Sequence, residues 1–137
     1  MTWLTLATAF PIPAKPGGLW TMVIDYVDAA TVLKIVAPEK AEWSYSPGSA
    51  CSANGDLTAM IGRSGCLLPA GPVGALIGKI GGSTAGSADG TIFLVGVTCV
   101  FTVDEKSGGP LYLSMNDEPS GFCNNTGQLA VDVMRRA

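Results

Sequence analysis

The chain has 137 residues, 47% hydrophobic and 14% charged, with a net charge of −3; it suits a single domain spanning 1–137 and is too short for two. Its eight Lys and Arg are spread out rather than clustered, so no basic stripe exists to neutralise a phosphate backbone, and nucleic acid is not an expected partner. The lack of histidine removes Ser-His, Cys-His and His-ligated zinc chemistry, each of which needs imidazole as base or ligand.

From the N-terminus, residues 1–10 are apolar without a basic leader, and no apolar run approaches the ~18 residues of a membrane span. The expectation is a chain with no classical signal peptide and no membrane insertion, cytoplasmic or released by a non-classical route. Strand-like runs then recur between glycine and proline punctuation, at 19–27, 31–36, 73–80, 91–103, 111–116 and 128–133. Asp28-Ala29-Ala30 is a short turn, and residues 104–110 form a solvated turn. Residues 44–72 are polar and glycine-rich, a long loop of the kind that carries function, whereas 81–90 is expected to be a plain flexible hairpin. Leu111, Leu113 and Met115 share one face, as do Leu129, Val131 and Val133, which gives each strand one buried side. The fold class is therefore all-β, a sandwich. Cys51, Cys66, Cys99 and Cys123 are too far apart for a CxxC motif and are expected as buried thiols, with up to two disulfides as the alternative.

Between the last two strands lies Asn116-Asp117-Glu118-Pro119-Ser120-Gly121-Phe122-Cys123-Asn124-Asn125-Thr126-Gly127. Asp117 offers a carboxylate, Asn124 and Asn125 offer amide carbonyls, and the turn at 119–121 can aim a main-chain carbonyl inward. That is the donor mix a hard cation such as Ca2+ prefers. The plain alternative is a polar turn, because these are the ordinary turn residues.

Gly74-Ala75-Leu76-Ile77-Gly78-Lys79-Ile80-Gly81, followed by the run to Asp117 and by Asn124-Asn125-Thr126-Gly127, resembles the calcium-dependent galactose-binding bacterial lectins of the PA-IL (LecA) type. Trp3, Tyr45, Gly55-Asp56 and Cys66 fall in comparable order. The resemblance implies a jelly-roll β-sandwich in which calcium binds two vicinal sugar hydroxyls. By that resemblance the metal ligands are the Asp117, Asn124 and Asn125 side chains and the Tyr45 and Gly121 carbonyls, and the sugar contacts are Asp117, Glu118, Gly121 and Asn124. The implied partner is a galactose-type glycan, the cofactor is Ca2+, and the implied assembly is a homo-oligomer. Two family contacts to the sugar, a histidine and a glutamine, align with Ala59 and Gly62, so strict galactose preference is not expected; Arg63, Ser64 and Asp56 are polar neighbours able to substitute. Whether the Glu118 carboxylate points outward or shapes the rim stays open.

Other chemistry is less well supported. Gly78-Lys79 lacks the first glycine and the Ser or Thr of a phosphate loop, since Val73 and Ile80 occupy those places. Asp117 with Glu118 or Asp56 is the sole carboxylate pairing on offer for a glycosidase, and no enzyme is expected. Asn124-Asn125-Thr126 also matches a glycosylation sequon, whose use would block the calcium role. The alternative to a lectin is a non-enzymatic β-sandwich module that has lost sugar binding.

Overall fold

The computed structural model describes residues 2–58, 65–82 and 84–137. Among these, ten strands and one 3-10 helix follow in chain order: β1 (Trp3–Pro13), β2 (Thr21–Val27), β3 (Val32–Val36), β4 (Trp43–Ser44), β5 (Ala50–Cys51), β6 (Leu76–Ile80), β7 (Thr91–Leu94), β8 (Thr98–Thr102), β9 (Gly109–Met115), the helix Pro119–Asn124, and β10 (Gln128–Arg136). One sheet has the order β1-β10-β3-β8 and the other β2-β9-β6-β7, with β4 and β5 as a separate small hairpin. Every pairing is antiparallel, so the chain is the expected antiparallel β-sandwich. No helix among the described residues is long and apolar enough to cross a membrane.

Alternation builds the core. Leu129, Val131 and Val133 turn inward from β10, and Leu111, Leu113 and Met115 turn inward from β9; together with Ile12, Leu33 and Ile35 they are fully buried between the sheets. Each such side chain contributes about 1.5–3 kcal/mol of apolar burial. β9 departs from the expected single buried side. Tyr112 and Ser114 on its other face are also buried, because Trp20, Leu67, Ile77 and Phe122 form a second cluster with Tyr112.

Four further expectations change. The run 91–103 is two strands in different sheets, not one. The Val95 and Gly96 N–H groups both reach Leu76 O at 3.0 Å, and the Ala37 N–H already reaches Val97 O at 2.7 Å. Gly96, at φ 67, makes this crossing in a left-handed conformation that a glycine adopts without strain. Trp3–Pro13, read only as an apolar start, is the longest strand; two register shifts against β10 disrupt its alternation.

The 81–90 hairpin is anchored rather than plain. Lys79 is fully buried on β6, and its Nζ donates to Thr84 O at 2.9 Å and Ser87 O at 2.8 Å while lying 3.9 Å from Asp89 Oδ1. The same ammonium lies over the Tyr112 ring at 4.7 Å and the Trp20 ring at 5.3 Å, a setting in which aromatic faces partly replace lost water. Desolvation still lowers its pKa, with Asp89 opposing. Cys51 and Cys66 are buried thiols as expected, but Cys99 is half-buried and Cys123 exposed, and no disulfide forms among the described residues.

Candidate functional site

The loop between β9 and β10 and the β4–β5 hairpin are drawn together by a bridge outside the main sheets. Ser44 N–H donates to Thr126 O at 2.8 Å and Thr126 N–H returns to Ser44 O at 2.9 Å. Tyr45 is thereby set beside Asn124. Trp43 fixes the hairpin from beneath, fully packed, with its indole N–H donating to Gly74 O at 2.7 Å. Gly74 has φ +86, and a side chain there would meet Cys51 Sγ at 2.5 Å and the Tyr45 ring at 3.1 Å; the close approach of Gly74 to the hairpin requires glycine.

At the start of the loop, Asn116 is fully buried and acts as a staple. Its Oδ1 accepts the Leu68 N–H at 2.9 Å, and its Nδ2 donates to Leu68 O at 2.9 Å, Pro72 O at 3.0 Å and Gly71 O at 3.3 Å. These bonds hold residues 68–72 against the site, and the Leu67 N–H reaches Asp117 O at 3.2 Å. The turn expected at 119–121 is a short helix, with the Gly121 N–H bonded to Glu118 O at 2.8 Å and the Asn125 N–H to Phe122 O at 3.1 Å.

Tyr45, Ser46, Asp117, Glu118, Gly121 and Asn124 line one open cleft of ≈ 290 Å³. Within it, one terminal atom of the Asn124 amide lies 2.7 Å from Gly121 O and 3.0 Å from Tyr45 O. The amide is assigned with Nδ2 on this side, which makes two hydrogen bonds where Oδ1 would face acceptors alone. The Asp117 carboxylate is buried next to these atoms. Its Oδ1 accepts the Glu118 N–H at 2.7 Å, and both carboxylate oxygens lie within 3.2 Å of where a Gly121 side chain would begin. Two main-chain carbonyls, the Asn124 amide and the Asp117 carboxylate therefore belong to one cleft, with one formal negative charge among these four groups.

Of the expected ligands, Tyr45, Asp117, Gly121 and Asn124 line the cleft together. Asn125 does not; it is buried, and its Nδ2 donates to Ala14 O at 3.0 Å, which ties the loop to the end of β1. Among the described residues no three His, Cys, Asp or Glu side chains gather, and a donor set of one carboxylate with amides and carbonyls is not of that kind. Glu118, of the expected sugar contacts, lays its side chain against Gly65, about 2.9 Å from where a side chain would begin there. Ala59, Gly62, Arg63 and Ser64 lie outside the described residues.

Asp56 is a support rather than a rim group. Its Oδ2 accepts the Tyr45 hydroxyl at 2.6 Å and its Oδ1 accepts the Thr58 N–H and hydroxyl at 2.9 and 2.7 Å. The bond to Asp56, then burial, raises the Tyr45 pKa, so the phenol stays a donor and holds the residue whose carbonyl enters the cleft. Reasoning from the sequence missed Ser46 as a lining residue and Asn116 as the staple. An Asn between an apolar strand and Asp117 was the available signal, since a polar residue in that position needs several partners. A larger cleft of ≈ 440 Å³ beside β7 and β8 has Asp104 as its sole charged lining residue, and this carboxylate accepts the Lys106 N–H.

Two antiparallel sheets carrying a polar cleft on their connecting loops define the class of fold, an antiparallel β-sandwich. Among solved structures it is similar to one described as "EclA N-terminal domain; PllA-like lectin", with a TM-score of 0.64 and 19% identity over 95% of this chain and 97% of that one. That likeness establishes the fold. No protein-family model matches the chain, and no curated protein matches it in sequence.

Proposed function

We propose that this protein is a non-enzymatic lectin of the PA-IL type that binds carbohydrate, galactose or a related sugar, through calcium held in the cleft of Tyr45, Asp117, Gly121 and Asn124. The observation that supports this reading is the approach of two main-chain carbonyls to the Asn124 amide beside the buried Asp117 carboxylate. The donor set fits a hard cation, because all four groups are oxygen donors once the Asn124 amide turns over to present Oδ1. That turn gives up two hydrogen bonds, each with a net contribution of about 0.5–1.5 kcal/mol, and exchanges them for charge-assisted contacts. Asn125 does not line this cleft with the other four, and its Nδ2 is held by Ala14 O, so the proposed set is those four groups together with the sugar hydroxyls.

Bound calcium would supply open coordination positions for two vicinal sugar hydroxyls. The chain's own part is to orient them. The Asp117 carboxylate accepts a hydrogen bond from one hydroxyl, Asn124 engages the other, and Gly121 and Glu118 border the ring. A single carboxylate among the ligands leaves the ion's own charge only half neutralised in its first coordination layer, which favours polarised hydroxyls as the remaining ligands. By the resemblance, Ala59 and Gly62 stand where the family has two polar sugar contacts, so discrimination among galactose-like sugars is weak. Assembly into a homo-oligomer raises avidity by linking weak sites.

One observation favours a second reading, a β-sandwich module without sugar binding: with Nδ2 inward, Asn124 satisfies both carbonyls and needs no ion. Chromatography on immobilised galactose separates the two. The lectin is retained in calcium, elutes with chelator, and loses retention in Asp117→Ala and Asn124→Ala. Passage of the folded wild-type protein through galactose and other simple-sugar columns alike, with calcium present, would establish the second reading.

A further inference from the structure

The sandwich has four edge strands, β1 and β8 in one sheet and β2 and β7 in the other. An edge strand presents unpaired N–H and C=O groups, and proteins blunt it with bulges, prolines, charges or brevity. Three of the four carry such devices. β1 contains Pro11 and Pro13 and has two register shifts against β10; β2 has two register shifts against β9 and the exposed Asp25; β7 is four residues long. β8, Thr98-Cys99-Val100-Phe101-Thr102, has no charge and no proline, and it pairs with β3 at five successive positions without a shift. The ladder runs one residue past each end, through the Ala37 N–H to Val97 O bond at 2.7 Å and the Val103 N–H to Thr31 O bond at 2.8 Å.

Those two bonds also fix which groups face outward. Hydrogen-bonded pairs alternate along an antiparallel ladder. With 37/97 and 31/103 bonded, 35/99 and 33/101 are bonded as well, so the N–H and C=O groups of Thr98, Val100 and Thr102 point away from β3. The side chains of the same three residues are exposed, Val100 to 60%, while Cys99 and Phe101 pack towards the core.

We propose that this edge is a self-association surface, on which β8 of a second copy of the chain pairs antiparallel about a two-fold axis through Val100. The strand is its own complement in that register. Val100 faces Val100 and Thr98 faces Thr102, all three pairings are of the hydrogen-bonded kind, and the two copies exchange six main-chain bonds. The exposed face then carries a Val–Val pair between two Thr–Thr pairs, cross-strand combinations that stabilise sheets. Lys34 is the β3 neighbour of Val100 and stands three strand spacings from its mate, about 14 Å, beyond the ~8 Å screening length at physiological salt. A foreign strand could reach the same groups, but the two-fold match of Thr98 to Thr102 about Val100 favours a second copy. Edge pairing alone covers less than the ~1,200 Å² of a stable interface, so the dimer is weak, with a Kd of roughly micromolar order. The inference stands independently of the sugar and of calcium.

Sedimentation velocity over a range of concentrations, with amide hydrogen exchange in parallel, tests it on wild type and Val100→Lys. The wild-type mass should rise with concentration towards twice the 14.0 kDa of the chain. The Thr98, Val100 and Thr102 amides should gain protection with it, while those of Cys99 and Phe101 are protected throughout. Val100→Lys sets two like charges face to face and should stay monomeric with an unchanged melting temperature, since the side chain it replaces is exposed. A wild type that is monomeric at millimolar concentration overturns the proposal, as does a dimer that survives in Val100→Lys or that leaves the three amides exchanging at the monomer's rate. Should the lysine variant fail to fold, the wild-type exchange pattern alone decides.

Discussion

Asn124 and Asp117 set the chemistry of the cleft, yet most of what aims them is invisible in their own identities. Asp117, Asn124 and the glycine at 121 stand out in the sequence as hard donors around a turn. Tyr45 does not, because its contribution is a main-chain carbonyl and leaves no side-chain trace; the family resemblance, and not residue pattern, pointed to it. Asn125 reads as a ligand equal to Asn124, but the structure gives its Nδ2 to Ala14 O, a partner 111 residues away that no local pattern could supply. The cysteines divide just as sharply. Burial first, then the Asp56 and Glu42 charges, push the Cys51 thiol up to about 11, whereas Cys123 lies exposed on the short helix. A thiol reagent at pH 8 should therefore label Cys123 within minutes and leave Cys51 unlabelled until the protein unfolds, since the thiolate is the reactive form. Mass spectrometry of the labelled peptides checks this, and prompt native labelling of Cys51 would contradict the packing of Trp43, Gly74 and Cys51.

At the level of elements, the strands with clean alternation were legible and those without were not. β9 and β10 follow the inward sequence Leu111, Leu113, Met115 and Leu129, Val131, Val133. β1 hides its strand character behind bulges, one of them at Ala9, whose φ is 47 and whose N–H turns to Asp132 Oδ1. The β7–β8 boundary is a lone glycine in an apolar run, which a sequence reads as continuation. The stretch from 44 to 72 reads in the sequence as a long polar loop, but the means by which its far end is held does not show there. That task falls to Asn116, whose four hydrogen bonds anchor 68–72 to the end of β9. Asn116→Ala leaves the Leu68 N–H and the Gly71 carbonyl without their partner, while Leu68 O and Pro72 O keep the Gly71 and Ala75 N–H groups, and should destabilise the fold by about 2–4 kcal/mol. Urea unfolding measures the loss; a change below about 0.5 kcal/mol, the scale of a neutral surface substitution, would show that the staple is dispensable.

For the whole molecule, the two-sheet core is built from the chain's own side chains, so on the proposed reading calcium would add stability to a formed fold and would not be a condition of folding. A ligand that binds only the native state stabilises it in proportion to the logarithm of its concentration, by about 2.7 kcal/mol at a hundredfold excess over Kd. In a domain of this size that is roughly 10 °C in Tm. Cleft and β8 edge involve separate residues, so metal response and self-association should vary independently. The most direct measurement is thermal melting of wild type and Asp117→Asn with chelator, with calcium, and with calcium plus galactose. The account predicts a calcium-dependent rise in wild-type Tm, a further rise with sugar, and neither in Asp117→Asn, which keeps the shape and removes the charge. A wild-type Tm identical with chelator and with saturating calcium would contradict it.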